Sequence, residues 1–380
     1  MAENKLLTVI VPVYNGEKYI EETVQSILAS DYRQIELLLL DDGSTDGSGQ
    51  ICERLAQRDA RVRYVRQENR GIVAARNRGI ELAQGAYLCF CDQDDIVSEC
   101  MYAVLMEKVQ AADAQIAMCS TGRLIDGEKS IYERLESAVL REEEVRRQLL
   151  YPLLFRGYTY DFAESGNYLY GTVWKCIFQK RFIEEKRISF RRFISYEDDW
   201  IFVTQALSCA SSVVTDSMTG YYWRVNSASE SHKDRYIEDL PRKFGEFDSF
   251  TQGYLSQGII DKEIFKEYSK VSLSEHFVEL YRNVTNAADP AVRKAAMAEL
   301  GKYLGAADYK NVLSCRKYLK KSAFRRQMVY ISLRYLGIKT TVAVSRLADL
   351  LENIMGRMTL LVRFERRLKV NGVEHRYERE

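Results

Sequence analysis

Histidine and proline are both scarce here, with 3 and 4 examples in 380 residues. The 8 cysteines (52, 89, 91, 100, 119, 176, 209, 315) stand among apolar neighbours. No two CxxC pairs or His companions give a zinc spacing, and reduced thiols in a cytoplasm fit best. No GxGxxG or GxxxxGK[ST] run occurs, which argues against dinucleotide and P-loop chemistry. No stretch reaches the roughly 18 uninterrupted apolar residues of a membrane span. The start, MAENKLLTVIVPVYN, lacks a signal-peptide layout, because its apolar run is short and broken by Pro12. Nothing repeats at a fixed period.

What is present describes an ordered globular protein: 46% apolar and 29% charged residues, enough for one large or two modest domains. The net charge of +1 gives no global argument for nucleic acid. It hides an uneven distribution, since Lys310 to Lys369 holds 15 Lys/Arg against 3 Asp/Glu. That segment is near +12 and the remainder near −11, an acidic body with a basic tail.

Leu6 to Val13 is a run without polar alternation, which reads as a strand buried on both faces of a parallel sheet. A helix over Glu17 to Ala29 follows, with apolar pairs at helical spacing. The alternation continues with a strand at Ile35 to Leu40, a helix at Ile51 to Gln57, a strand at Val62 to Val65, a helix from Ile72 to Ala83 and a strand at Tyr87 to Cys91. Helix Glu99 to Ala111 and strand Gln115 to Cys119 complete a doubly wound α/β unit over residues 1–120, with parallel pairing expected throughout. Asp126-Gly127 then signals a hairpin, and Arg141 to Phe155 reads as a helix. Gly171 to Phe178 reads as strand or loop, Arg181 to Lys186 and Trp200 to Cys209 as helices, and Ser212 to Thr215 and Gly220 to Val225 as short strands. From about Lys233 to the end, four or five helices are expected.

In an open parallel sheet, ligands bind beyond the carboxyl ends of the strands. The residues there are Pro12 to Asn15, Asp41 to Ser44, Asn69 to Gly71 and Asp92 to Asp95. In YLCFCDQDD an apolar strand gives way to three carboxylates, which repel one another unless solvated or neutralised by a cation. Taken alone, that run reads sooner as a capped surface turn, Arg76 as a solvated helical arginine, and Glu197-Asp198-Asp199 as the acidic first turn of a helix.

TVIVPVYNGEKYIEETVQSIL, LLDDGSTDGS, ENRGIVAARNRGIELAQGAYLCFCDQDD and YEDDWIF, in this order, resemble the inverting family-two glycosyltransferases of GT-A fold, of the bacterial polysaccharide type. The resemblance covers about the first 205 residues. It implies an α/β fold with a doubly wound, mostly parallel sheet, a nucleotide-sugar-binding half over 1–120 and an acceptor-side half over 121–232; the helical region over 233–380 with its basic amphipathic tail lies outside it. It further implies that Asp42 accepts from the base ring NH of a nucleotide-sugar, UDP favoured, while Pro12, Tyr14 and Asn15 shape that pocket and Arg76 faces the nucleotide. In the DXD run it implies that Asp92 holds the ribose or a metal-bound water and that Asp94 coordinates Mn²⁺ or Mg²⁺; Asp95 reads as support. Asp198 matches the general base, with Asp199 in reserve. Trp174 resembles an acceptor-side platform or is core, and Arg224 and His232 fall where the family returns over the diphosphate. A processive synthase is disfavoured, since no QxxRW run occurs.

The acceptor implied is a hydroxyl of a glycan or lipid-linked glycan. The alternative is a non-catalytic nucleotide-sugar-binding or scaffold protein of the same fold. Residues 310–369 mix apolar and basic positions in the layout of a helix lying on an anionic membrane, or of a packing helix with a solvated basic face. The expected setting is cytoplasmic, at the inner face of the plasma membrane, with no nucleic-acid partner.

Overall fold

The computed structural model describes residues 5–155, 169–194, 197–225, 236–255 and 260–305. It divides into two compact units between Tyr268 and Ser269. The basic tail at 310–369 and His232 lie outside the described residues.

The first unit is organised around β1 (Leu7–Val13), whose seven residues are all buried. After α1 (Ile20–Leu28) come β2 (Ile35–Asp41), α2 (Ser48–Arg58), β3 (Val62–Arg66), α3 (Ile72–Leu82) and β4 (Tyr87–Phe90). β2 and β4 flank β1 in parallel, with Leu7 opposite Ile35 on one side and Tyr87 on the other. The carboxyl ends of these strands therefore share one edge. Strands buried on both faces need helices to cover them, which is why the apolar runs are continuous.

Beyond β4 come β5 (Ile96–Val97), α4 (Met101–Ala111), β6 (Ile116–Ile125), β7 (Glu128–Glu133) and β8 (Ala138–Arg141). A helical stretch follows as α5 (Glu142–Val145), a π-turn (Arg146–Leu150) and α6 (Tyr151–Phe155). Then come β9 (Cys176–Gln179), α7 (Lys180–Glu185), α8 (Asp198–Cys209), β10 (Ser212–Arg224) and α9 (Leu240–Leu255). The sheet order is β3-β2-β1-β4-β9-β6-β10-β5, with β7 on β6 and β8 on β10.

Two expectations change. The sheet does not stay parallel through residue 120: β9 inserts between β4 and β6, antiparallel to both. The halves on either side of residue 120 thus share one sheet. The two short strands expected at 212–215 and 220–225 are one strand, interrupted by a bulge between Asp216 and Thr219 where Asp216 Oδ1 accepts the Met218 amide at 2.7 Å. A bulge breaks the side-chain alternation without ending the strand. The Asp126-Gly127 hairpin forms as expected, both residues having positive φ (50° and 83°).

Phe90 on β4, Phe178 on β9, Phe202 on α8 and Phe190 on the segment before it form an aromatic cluster, with centroids 4.2–6.5 Å apart. These edge-on and stacked contacts fix α8 and the Phe190 segment against the sheet.

In the second unit, the latter part of α10 (Lys262–Asn286) and α11 (Pro290–Gly305) bury Leu280, Tyr281, Val284, Ala296 and Leu300. Asp289 Oδ1 accepts the amides of Ala291 and Val292 at 2.7 and 3.0 Å, and Pro290 opens α11. Proline suits that position because its missing N–H would have no helical partner there.

Candidate active site

The centre of the site is Arg76. Small residues on one face of α3, Ala75 and Gly79, let the helix approach β1 closely. A Cβ on Gly79 would stand 2.4 Å from Ile10 Cγ2. Arg76 shares that buried face and is only 5% exposed. It is not a solvated helical arginine. Its Nη2 donates to Asp92 Oδ1 at 2.9 Å, and its Nη1 donates to Asp198 Oδ2 at 2.8 Å and to Asp199 Oδ1. The Phe190 ring lies 5.3 Å from the guanidinium carbon. One cation thus joins the end of β4 to the start of α8.

Asp198, 3% exposed, is gripped a second time: Arg192 Nε and Nη2 both donate to its Oδ1, at 2.9 and 2.6 Å. Arg192 was not among the expected site residues. The signal for it is the pair Arg191-Arg192 a few residues before Glu197-Asp198, which sequence alone cannot distinguish from a solvated basic turn. Asp199 Oδ2 accepts the Val173 amide at 3.3 Å. Burial pushes the Asp199 carboxyl up to about 7, opposed by Arg76 and reinforced by Asp198 and Asp92. For Arg76 burial opposes the charge, but the three carboxylates outweigh it and hold the guanidinium above its usual value.

The DQDD turn is built by residues from distant elements. Asp95 is fully buried, accepting Tyr221 Oη–H at 2.7 Å and the Arg224 amide at 2.8 Å. The Tyr221 hydroxyl in turn accepts the Asp92 amide at 3.1 Å. Arg224 Nε donates to the Asp94 carbonyl and its Nη2 to Glu22, each at 2.7 Å. The resemblance puts Arg224 where the family returns over the diphosphate; in the fold its Nε and Nη2 brace the turn. Trp174 stacks on the Tyr221 ring at 4.2 Å and 18° and is 7% exposed, so it is core and offers no face to a sugar. Its neighbour Lys175 is wholly buried, paired with Glu133 at 2.6 Å.

Asp94 keeps its carboxylate outside this bracing. Burial and the charge of Asp92 push it up to about 6, its own backbone amide and Arg224 opposing. No side-chain donor meets it, or Asp92 Oδ2, among the described residues. No cluster of three or more His, Cys, Asp or Glu forms an all-protein metal site among those residues either. The Asp94 carboxylate and Asp92 Oδ2 are hard oxygen donors left without a side-chain donor, and they fit a divalent cation whose remaining positions would be filled by phosphate oxygens and water.

On the neighbouring strand ends, Tyr14 is 47% exposed, and its backbone is clasped by Gln93 through N–H···Oε1 at 2.9 Å and Nε2–H···O at 3.0 Å. Asn15, at φ 50°, accepts the Thr45 amide at 2.9 Å. Pro12 is buried within β1. Asp42 accepts from Gln67 Nε2 at 2.7 Å, Arg70 N at 3.0 Å and Gly71 N at 2.7 Å, so it holds the loop that leads into α3. Gly71, at φ 82°, adopts a turn that a side chain would strain.

An α/β sheet with its carboxylates gathered at one edge is the GT-A architecture. The S. aureus TarS structure (residues 1–349) superposes with a TM-score of 0.60 at 16% identity, covering 91% of both chains; a second TarS structure is a complex with UDP-GlcNAc, at TM-score 0.60 and 15% identity over 91% of this chain and 92% of that one. Glycosyltransferase GlyG of Streptococcus pneumoniae is 47% identical over 116 residues, 30% of this chain and 38% of GlyG. The uncharacterized glycosyltransferase EpsJ of Bacillus subtilis is 32% identical over 226 residues, 59% of this chain and 62% of EpsJ. The chain thus spans about half the length of these curated relatives. The family model for glycosyl transferase family 2 matches residues 8–182, a little under half of the chain, and over that segment the chain is similar to that family.

Proposed function

We propose that the protein is a divalent-cation-dependent, inverting glycosyltransferase that moves one sugar from a nucleotide-diphosphate donor, UDP favoured, to a hydroxyl of a glycan or lipid-linked glycan. The observation that carries this reading is the single charge cluster in which Arg76 links Asp92 to Asp198 and Asp199. It brings together the carboxylates that this reading assigns to the donor and to the acceptor.

In this reading Pro12, Tyr14, Asn15 and Asp42 form the base-side wall, and Arg76 serves the donor through Asp92. Asp94, with Asp92 beside it, would hold Mn²⁺ or Mg²⁺, whose charge offsets that growing on the departing diphosphate. The acceptor hydroxyl attacks the anomeric carbon on the face opposite the diphosphate, and Asp198 takes its proton as the new C–O bond forms. Arg76 and Arg192 hold the Asp198 rotamer, and Asp199 stands beside it in reserve. TarS has been crystallised with UDP-GlcNAc, which makes that donor the first to try. The basic residues at 310–369 would meet an anionic membrane surface, where a lipid-linked acceptor resides.

Calorimetric titration of UDP with and without Mn²⁺ into wild type, Asp94→Asn and Asp198→Asn tests this reading. Binding should need the metal and Asp94 but not Asp198. Metal-independent binding, or equal binding by Asp94→Asn, would overturn the assignment.

A further inference from the structure

Resting on the donor and base sides assigned above, the geometry points to Arg76 as a positioning residue, whose one buried guanidinium fixes the spacing between the carboxylate beside the leaving diphosphate and the pair facing the acceptor. Its two terminal nitrogens serve three carboxylates, while its buried Nε meets no hydrogen-bond partner among the described residues. The planar fork is therefore aimed at the carboxylates alone. Helix α3 is already close against β1 here, since a Cβ on Gly79 would meet Ile10 Cγ2 at 2.4 Å.

The next residue extends the same device. Asn77 Nδ2 donates to the Phe190 carbonyl at 3.0 Å, and Asn77 Oδ1 accepts the Phe190 amide at 2.9 Å. This two-way clasp holds the segment that carries Arg192 to Asp198. Two adjacent residues of α3 thus control Asp198 from both sides, one directly and one through Phe190 and Arg192. The groups facing the carboxylate pair are Arg76 from α3, Asp92 beyond β4, Arg192 and the Phe190 ring from the preceding segment, and the Val173 amide. A lysine keeps the positive charge but is a point donor without a rigid fork, so it cannot reproduce this spacing. That separates positioning from simple charge neutralisation.

The test uses the full chain with Arg76→Lys, Arg76→Gln and the charge-balanced double variant Arg76→Gln/Asp199→Asn. UDP with Mn²⁺ is the binding probe, and Mn²⁺-dependent release of UDP from UDP-GlcNAc, UDP-glucose or UDP-galactose is the rate. Arg76→Lys should bind UDP within about threefold of wild type, release it at least 100-fold more slowly at saturation, and shift the acid limb of the kcat profile to higher pH. The double variant, which rebalances the charge without restoring the fork, should stay within about threefold of Arg76→Gln, and recovery to near the wild-type rate would show simple charge neutralisation and overturn the proposal. Retention of kcat within threefold by Arg76→Lys overturns the proposal, as does a loss that tracks only the unfolded fraction. Should wild type release no UDP from any of the three, the donor reading fails separately. Unfolding midpoints then decide the Arg76–Asp199 coupling: a double variant more stable than Arg76→Gln supports it, and additive losses overturn it.

Discussion

Tyr221→Phe removes one oxygen and leaves the ring. The hydroxyl donates to the buried Asp95 carboxylate at 2.7 Å and accepts the Asp92 amide at 3.1 Å, while the ring keeps its 4.2 Å stack on Trp174. Burial has already lifted the Asp95 carboxyl well above the usual range, so losing a donor leaves it with the Arg224 amide as its only remaining donor of the two. A hydrogen bond to such a group contributes about 1.5–3 kcal/mol, and a stranded buried amide costs about 1–3 more. With partial relaxation the net loss should be about 3 kcal/mol, which in a domain of this size lowers Tm by roughly 6–12 °C. Urea unfolding gives the free energy, and UDP titration with Mn²⁺ shows whether the DQDD turn has loosened. A loss below about 0.5 kcal/mol would mean that the turn does not depend on β10, and the account of its construction would fall.

Gly79→Ala should cost about 1–3 kcal/mol by overpacking against Ile10, with Ile10→Ala in the same chain restoring part of the loss; equal midpoints for wild type and Gly79→Ala would refute the close approach of α3 to β1. Lys175→Met should cost about 3–5 kcal/mol by leaving Glu133 buried and unpaired, and Lys175→Met/Glu133→Leu should cost less; the reverse order in chemical denaturation would contradict a tightly enclosed pair. Asp199, whose carboxyl is raised from the usual range to about 7, favours the folded state below its unfolded pKa, and that contribution fades as pH climbs through 7. Urea midpoints should accordingly fall between pH 5 and 8 in wild type and fall less in Asp199→Asn; parallel curves would remove Asp199 as the source. The 380-residue chain should float with vesicles containing anionic lipid and a chain lacking residues 310–380 should not, while flotation of neither would end the membrane reading.

The parallel core was legible because β1, β2 and β4 bury both faces and so write continuous apolar runs. The carboxylates at their ends were legible for the same reason, since an abrupt change from Phe90 and Cys91 to Asp92 marks where a buried strand reaches an edge. β9 was harder to read. It has four residues, and its antiparallel partners are fixed by pairing across a distance that local periodicity does not encode. Arg76 shows the limit most clearly. Its neighbours Ala75 and Gly79 hinted at a buried face, but three carboxylates converging from two other elements are a property of the folded chain. Trp174 and Arg224 went the same way: each was chemically able to meet a ligand, and each is occupied by the turn it supports.

The most direct test is the release of nucleoside diphosphate from a panel of UDP-, GDP- and dTDP-sugars with Mn²⁺, followed by chromatography for wild type, Asp94→Asn and Asp198→Asn. Wild type should cleave at least one donor, only with the metal. Asp94→Asn should neither bind nor cleave it, and Asp198→Asn should bind it with turnover reduced at least 100-fold. Turnover by Asp198→Asn at close to the wild-type rate, or binding of a donor that wild type never cleaves or transfers, would contradict the account.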